Sequence, residues 1–392
     1  MGSDNILRNK TLHKLSIDSC DVEVSSILPV ITLFPNGLHK LSITNCNFLT
    51  PITAPVIKTF QEISFIDLSG CSVTTESLLS FFTIISQSEA QPKKLVLNNL
   101  RIRSNSFTSF YEQILLIKIR RLESFSWSSN SINDENYFQF FDFLKNQINI
   151  SDLCLSDSIT SSNKYLINKL QNTLNNLKLE RFVMRSNDEF YFKQDELIPI
   201  LNQFKEQKLL KGIDLIGQRL GNEGVKALDE ILSECNIIAI SFDNTGSDYE
   251  TLKELLNKII ENKNVEFAHW PKEDMKRVIR FAPERSNEVQ MLKEKFLKKF
   301  GNNKFVAEEF DGDAEKDSIE ELTSINTLRN TCNRIENSNE NAEGEQSLEE
   351  ILVKSVALRN ENLIEEIMEC VGTEFDAVET DPIVITFRKL NE

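Results

Sequence analysis

Histidine is nearly absent from this chain, with three in 392 residues. That leaves little material for imidazole-based acid–base catalysis or for a histidine-rich metal site. Neither HExxH nor GxSxG occurs, and there is no phosphate-cradling glycine loop or dinucleotide glycine pattern. The glycines between Gly217 and Gly224 open a repeat helix after a strand turn. No Ser/His/Asp or Cys/His constellation can be placed in one site, so the chain is not expected to be an enzyme, and no cofactor is expected. No run approaches the roughly 18–20 apolar residues of a bilayer span, and MGSDNILRNKTLHKL lacks the basic and apolar blocks of a secretory signal. Seven cysteines, an odd number in a long chain, fit a reducing compartment better than a disulfide framework. A cytoplasmic protein without a membrane span is expected.

What is present is ordinary for a protein able to bury a core: 40% hydrophobic and 27% charged residues. The formal charge of −16 is unevenly placed. Residues 301–392 hold 23 acidic and 8 basic side chains, net −15, which leaves residues 1–300 at net −1. An almost neutral body with an acidic end argues against general nucleic-acid binding, which needs a basic surface to displace counterions.

One pattern recurs: an apolar residue, two others, an apolar, one other, an apolar, then two others and a small or amide residue. It runs through Leu12, Leu15, Ile17 and Cys20, then Leu38, Leu41, Ile43 and Cys46, then Ile63, Ile66, Leu68 and Cys71. Later copies begin at Leu122, Ile150, Leu179, Leu210 and Ile237. A weaker one carries Pro92 in the first place, followed by Leu95, Leu97 and Leu100, and a truncated one runs through Val265, Phe267 and Trp270. Successive copies start 26, 25, 29, 30, 28, 29, 31 and 27 residues apart. Such a period marks a repeat architecture. In each copy the period of two puts Leu15 and Ile17 inside and Lys14, Ser16 and Asp18 outside, as a short strand requires. Between strands, the stretches from Glu76, Glu135 and Asn222 carry apolar residues at helical spacing. A strand plus a helix cannot bury its apolar face alone, and stacking cures that. Proline-bearing loops, with Pro29, Pro35, Pro51 and Pro55, are expected to replace helices in the first units.

The segments LHKLSIDSC, LHKLSITNC, LESFSWSSN and LKGIDLIGQRLGNEGVKAL resemble leucine-rich repeats of the ribonuclease-inhibitor type, with units of about 28 residues. The resemblance implies an α/β leucine-rich-repeat solenoid, with a curved parallel sheet inside and helices outside, over residues 1–270. It also implies that Cys20, Cys46 and Cys71 are inward ladder residues. A zinc site would need closely paired ligands. His13 and His39 share one repeat position and read as exposed strand residues, with His269 outside their register. Trp127 reads as core, and Trp270 as the closure of the last repeat.

Beyond the repeats, residues 271–336 read as a helical extension, 337–346 as a flexible acidic linker, and 347–392 as an amphipathic helix and a terminal strand at 383–387. A leucine-rich repeat usually binds through its outward strand residues. One row here reads Lys14, Lys40, Phe65, Lys94, Ser124, Asp152, Arg181, Gly212, Ala239, and the next Ser16, Ser42, Asp67, Val96, Ser126, Cys154, Val183, Asp214, Ser241. From these the expected partner-binding residues are Lys14, Lys40, Phe65, Asp67, Lys94, Val96 and Arg181, joined by Arg185. The resemblance implies a protein-binding scaffold, similar to CARMIL-type actin-regulatory scaffolds. A second family, the activators of Ran-like GTPases, also joins such repeats to an acidic C-terminal segment and implies stimulation of GTP hydrolysis in a partner.

Overall fold

Each apolar-other-apolar motif forms a short strand in the computed structural model, which describes residues 12–31, 38–52, 63–87, 91–103, 108–130, 132, 137–159, 164–187, 191–301 and 383–388. The order begins β1 (Leu12–Asp18), α1 (Val24–Ile31), β2 (Lys40–Thr44), β3 (Asn47–Phe48), β4 (Phe65–Asp67), β5 (Ser72–Val73), α2 (Thr75–Gln87), β6 (Lys94–Val96) and β7 (Arg101–Ile102). Strands and helices then alternate as α3 (Thr108–Ile114), β8 (Ser124–Ser126), α4 (Tyr137–Asn146), β9 (Asp152–Cys154), α5 (Lys164–Asn176), β10 (Arg181–Val183), α6 (Gln194–Phe204), β11 (Gly212–Asp214), α7 (Gly221–Glu234), β12 (Ala239–Ser241), α8 (Tyr249–Glu261) and β13 (Phe267–Ala268). The series ends with α9 (Lys272–Phe281), a 3-10 turn at Pro283–Arg285, α10 (Ser286–Phe300) and β14 (Ile383–Arg388).

The chain divides into two compact units. The first holds the described residues up to Pro92 with Arg101–Arg103 and β14, and the second holds Lys93–Leu100 and the described residues from 108 to 301. In the first unit β1, β2 and β4 pair in parallel with one register, Leu15 beside Leu41 beside Ile66. Those side chains and Ile43 and Leu68 are buried. The expected terminal strand is present as β14, which pairs in parallel with β1. A second small parallel sheet, β3-β5-β7, follows the turns. The proline-bearing segment after β1 contains a helix, α1, where a loop was expected. Pro35 and Pro55 lie outside the described residues.

The second unit is an α/β solenoid-like stack. Strands β6, β8, β9, β10, β11, β12 and β13 pair in parallel in that order. The helices from α3 to α8 each pack against the next, as crossovers on one side of a sheet must. Aromatic rings fill the space between sheet and helices. Trp127 is fully buried, its ring stacked on Phe110 at 6.2 Å and on Phe125 at 6.1 Å between centroids. At the far end α10 packs on α8, and Phe296 meets Trp270 at 5.3 Å. The described part of the helical extension read from residue 271 is thus α9 and α10. The expected helices and linker between 302 and 382 lie outside the described residues.

Two local devices make the turns repeat. The residue before the ladder position has a positive φ in most repeats: Ser19, Asn45, Gly70, Asn99, Ser129, Asp157, Gly217 and Asn244 all fall between 50° and 85°. Left-handed backbone favours glycine, asparagine and aspartate, which is why short polar residues recur there. The ladder side chain itself then turns inward and meets backbone left over by the turn. Asn130 accepts from the Leu100 amide at 2.7 Å and donates to the Leu97 carbonyl, and Gln218 donates to the Met184 carbonyl at 2.9 Å while accepting from the Phe192 amide at 2.8 Å. A buried carbonyl left unpaired costs about 1–3 kcal/mol. The place thus favours amide, hydroxyl or thiol, Leu100 being the exception.

The truncated last copy has a different register from the one read in the sequence. Ala268 sits beside Ile240 and is buried, whereas Phe267 lies beside Ala239 in the outward row and is half-buried. The inward set is Val265 and Ala268, so the motif is shifted by one residue at its second place. A one-residue shift turns a side chain to the other face of a sheet.

Candidate interaction face

The face of the sheet opposite the helices carries the outward rows, and strand registers set which residues are neighbours. In the first unit Lys14, Lys40 and Phe65 occupy one row, and Ser16, Ser42 and Asp67 the next. All six are half-buried. Thr44 donates to Asp18 at 2.7 Å and Asn45 to the same oxygen at 2.8 Å, which fixes the end of that face.

In the second unit the rows run Lys94, Ser124, Asp152, Arg181, Gly212, Ala239, Phe267 and Val96, Ser126, Cys154, Val183, Asp214, Ser241. Adjacent rungs stand about 4.8 Å apart, close enough for long side chains to cross-link. Arg181 does so, its Nη2 3.1 Å from Asp152 Oδ2. Burial pushes the Asp152 carboxyl above its ordinary value, with Arg181 and Lys94 pulling it back. Burial likewise lowers the Arg181 guanidinium, against the pull of Asp152. A third row, Asn98, Ser128, Ser156 and Arg185, ties each repeat to the next. Asn98 accepts from the Ser126 hydroxyl and the Ser128 amide, both at 2.8 Å, and Ser156 accepts from the Arg185 amide at 3.0 Å.

Openness is not uniform along these rows. Lys94, Val96, Ser124, Ser126, Asp152, Cys154 and Arg181 are half-buried, but Gly212, Ala239, Val183, Asp214 and Ser241 are buried. Val183, Asp214 and Ser241 lie on the outward face as the period of two places them, but they are covered. Their rungs carry small residues between longer ones, and Arg185 lies across Asp214. The Arg185 Nε donates to Asp214 Oδ2 at 2.8 Å, and Oδ1 accepts from the Ile216 amide at 3.2 Å.

His269 belongs to the same neighbourhood, which the sequence pattern missed. Its amide donates to the Ile240 carbonyl at 3.2 Å, one rung beyond the Ile240–Ala268 pair, so it follows Asp214 and Ser241 in the row. Reading the last copy as Val265 and Ala268 would have placed it there. Burial lowers its pKa; Asp243 and Asp214 oppose that shift and Arg185 adds to it. Asp243 in turn accepts the Glu273 and Asp274 amides at 3.0 Å and so holds the positive end of α9.

Cys20, Cys46 and Cys71 are free and buried, in the inward ladder places. The Cys71 thiol donates to the Ile43 carbonyl and the Cys46 thiol to the Thr44 carbonyl, each at 3.1 Å. Burial pushes both thiols up to about 12. Among the described residues no group of three or more His, Cys, Asp or Glu side chains is placed to hold a metal ion, and no helix is long and apolar enough to cross a membrane.

Of the sequence-expected contact residues, Lys14, Lys40, Phe65 and Asp67 come together in the first unit, and Lys94, Val96, Arg181 and Arg185 lie on the face of the second. Arg181 and Arg185 are engaged in ion pairs with Asp152 and Asp214. Comparison with protein-family models and with curated proteins finds no match to this chain.

Proposed function

We propose that this chain is a leucine-rich-repeat protein of the ribonuclease-inhibitor-like kind, a non-catalytic scaffold that holds a partner protein on the outward strand face of its second unit. The observation that carries the reading is the pair of adjacent rows from β6 to β10, Lys94, Ser124, Asp152 and Arg181 in one and Val96, Ser126 and Cys154 in the next, all half-buried. A parallel sheet holds their backbones still, and the Asp152–Arg181 pair removes side-chain freedom before any partner arrives. Preorganisation of that kind lowers the entropic cost of association, and arginine with flanking apolar groups is typical of interface anchors. The row Lys14, Lys40 and Phe65, with Asp67 beside it, is assigned the same role in the first unit. A place in cytoskeletal regulation rests on the resemblance to CARMIL-type scaffolds, and co-sedimentation with actin filaments tests it.

The test of the face is comparative affinity purification. The full chain and a Lys94→Ala/Val96→Ala/Arg181→Ala variant with the same circular dichroism are used as baits in extract of the native cell, with bound proteins quantified. At least one protein retained by the wild type is expected to be lost by the variant. Identical retention removes this face from the interaction.

A further inference from the structure

The second unit carries another surface, on the turns that lead from each helix into the next strand. Three of its exposed aliphatic side chains stand there: Leu116 before β8, Ile148 before β9 and Leu209 before β11, with 86%, 67% and 51% of their surface open. A single exposed leucine needs no explanation, but three at corresponding turns of one rim do. Cations stand among them. From 116 to 120 exposure alternates with burial, so Leu116, Lys118 and Arg120 face outward while Ile117 and Ile119 anchor the segment in the core. Lys145 precedes Ile148, and Lys178 takes the corresponding turn before β10.

The rim is held rigidly. Buried Gln147 accepts from the Ile119 amide at 2.8 Å and donates to the Ile117 carbonyl at 3.0 Å, and Asn149 donates to the Arg120 carbonyl at 2.6 Å. These bonds lay the Leu116–Arg120 segment alongside Ile148. Gln207 repeats the device further on, donating to the Leu174 carbonyl at 2.9 Å. Charge on this rim is opposite to that of the chain. The turns before β8, β9 and β10 bring Lys118, Arg120, Arg121, Lys145 and Lys178 against Glu123 and Glu180, while the whole chain carries −16; before β11, Lys205, Lys208 and Lys211 pair with Glu230, Glu234 and Glu180. At about 0.1 M salt, fields decay over about 10 Å, so the local patch governs what approaches it.

We propose that this rim docks peripherally on an anionic lipid surface, the aliphatic tips entering the headgroup region and the lysines and arginines meeting lipid phosphates and carboxylates. Rigid apolar tips flanked by cations suit a bilayer interface, where apolar burial and attraction to anionic headgroups act together. This site is separate from the strand face and independent of the function proposed for it.

Flotation of the full chain with vesicles of phosphatidylcholine containing phosphatidylserine, and with phosphatidylcholine alone, tests the assignment. Binding is expected to the mixed vesicles at about 0.1 M salt and to fall away near 1 M, where the screening length is about 3 Å. Each cation near the surface is worth about fivefold in partitioning. Lys118→Gln/Arg120→Gln/Lys145→Gln/Lys178→Gln and Leu116→Ser/Ile148→Ser/Leu209→Ser are each expected to lower partitioning by about tenfold or more with unchanged circular dichroism. Wild-type chain that stays with neither vesicle overturns the proposal, as do folded variants that bind like wild type. Binding to immobilised polyglutamate without vesicle binding assigns the rim to an acidic protein and overturns it too.

Discussion

Arg185, just past β10, lays its guanidinium against the fully buried carboxylate of Asp214 on β11, with Nε 2.8 Å and Nη2 2.7 Å from the same oxygen. Nη2 is close but poorly aligned, so one hydrogen bond and one ionic contact hold the pair. Removing the cation leaves a buried charge unpaired. Arg185→Ala is expected to cost about 3–5 kcal/mol in urea unfolding, and Arg185→Ala/Asp214→Asn to recover much of it. Burial already raises the Asp214 pKa above 3.8, so the folded state holds its proton to higher pH than the unfolded chain, and this group's contribution falls as pH rises through that window. Loss of Arg185 widens the window. The deficit of the single variant should therefore shrink as pH is lowered toward 4, and a deficit that grew on acidification would refute the pairing.

His269 gives a pH dependence of the opposite sign. Its folded pKa lies below 6.5, chiefly because burial disfavours the imidazolium. Below that value the unfolded chain takes up a proton that the folded chain resists, so stability is lost as pH falls from about 6.5 toward the folded pKa. Urea midpoints of His269→Phe should change less than those of wild type between pH 7.5 and 5.5. Equal slopes would contradict the assignment.

The inward thiols are expected to be inert. The thiolate is the reactive form, and with Cys46 and Cys71 pushed up to about 12 almost none is present near pH 8.5. Peptide mapping after iodoacetamide should find both unmodified in the folded protein and modified in urea, with half-exposed Cys154 alkylated before either.

Two glycines separate backbone strain from crowding. Gly217 and Gly246 have φ of +85° and +78°, but a Cβ on Gly217 would lie 1.7 Å from the Ser186 carbonyl oxygen, whereas one on Gly246 meets nothing within 4 Å. Gly246→Ala should cost about 1–2 kcal/mol from the left-handed backbone alone, and Gly217→Ala about 3 kcal/mol or more. Equal losses would show that the neighbouring turn gives way.

The helices starting near Glu76, Glu135 and Asn222 and the strand motifs were legible because burial of one face imposes a period on sequence. The amide and thiol ladder was legible for the same reason, as a place rather than as a set of bonds. The last repeat was misread because Phe267 and Ala268 both satisfy an apolar pattern, and only pairing with Ala239 and Ile240 decides between them. That one-residue choice hid His269 from its row. The covering of Val183, Asp214 and Ser241 was likewise invisible, since outward-facing and solvent-open are the same thing to a pattern of period two.

Periodicity alone determined that strands and helices alternate and, in every copy but the truncated last one, which strand side chains turn inward, because each is a local demand of a repeated fold. Only the tertiary structure decided which outward residues stay open and which charges meet. It also tied the Ile117–Arg120 segment to the turn that carries Ile148. Contacts between residues some 30 positions apart depend on register across strands, which no single repeat encodes.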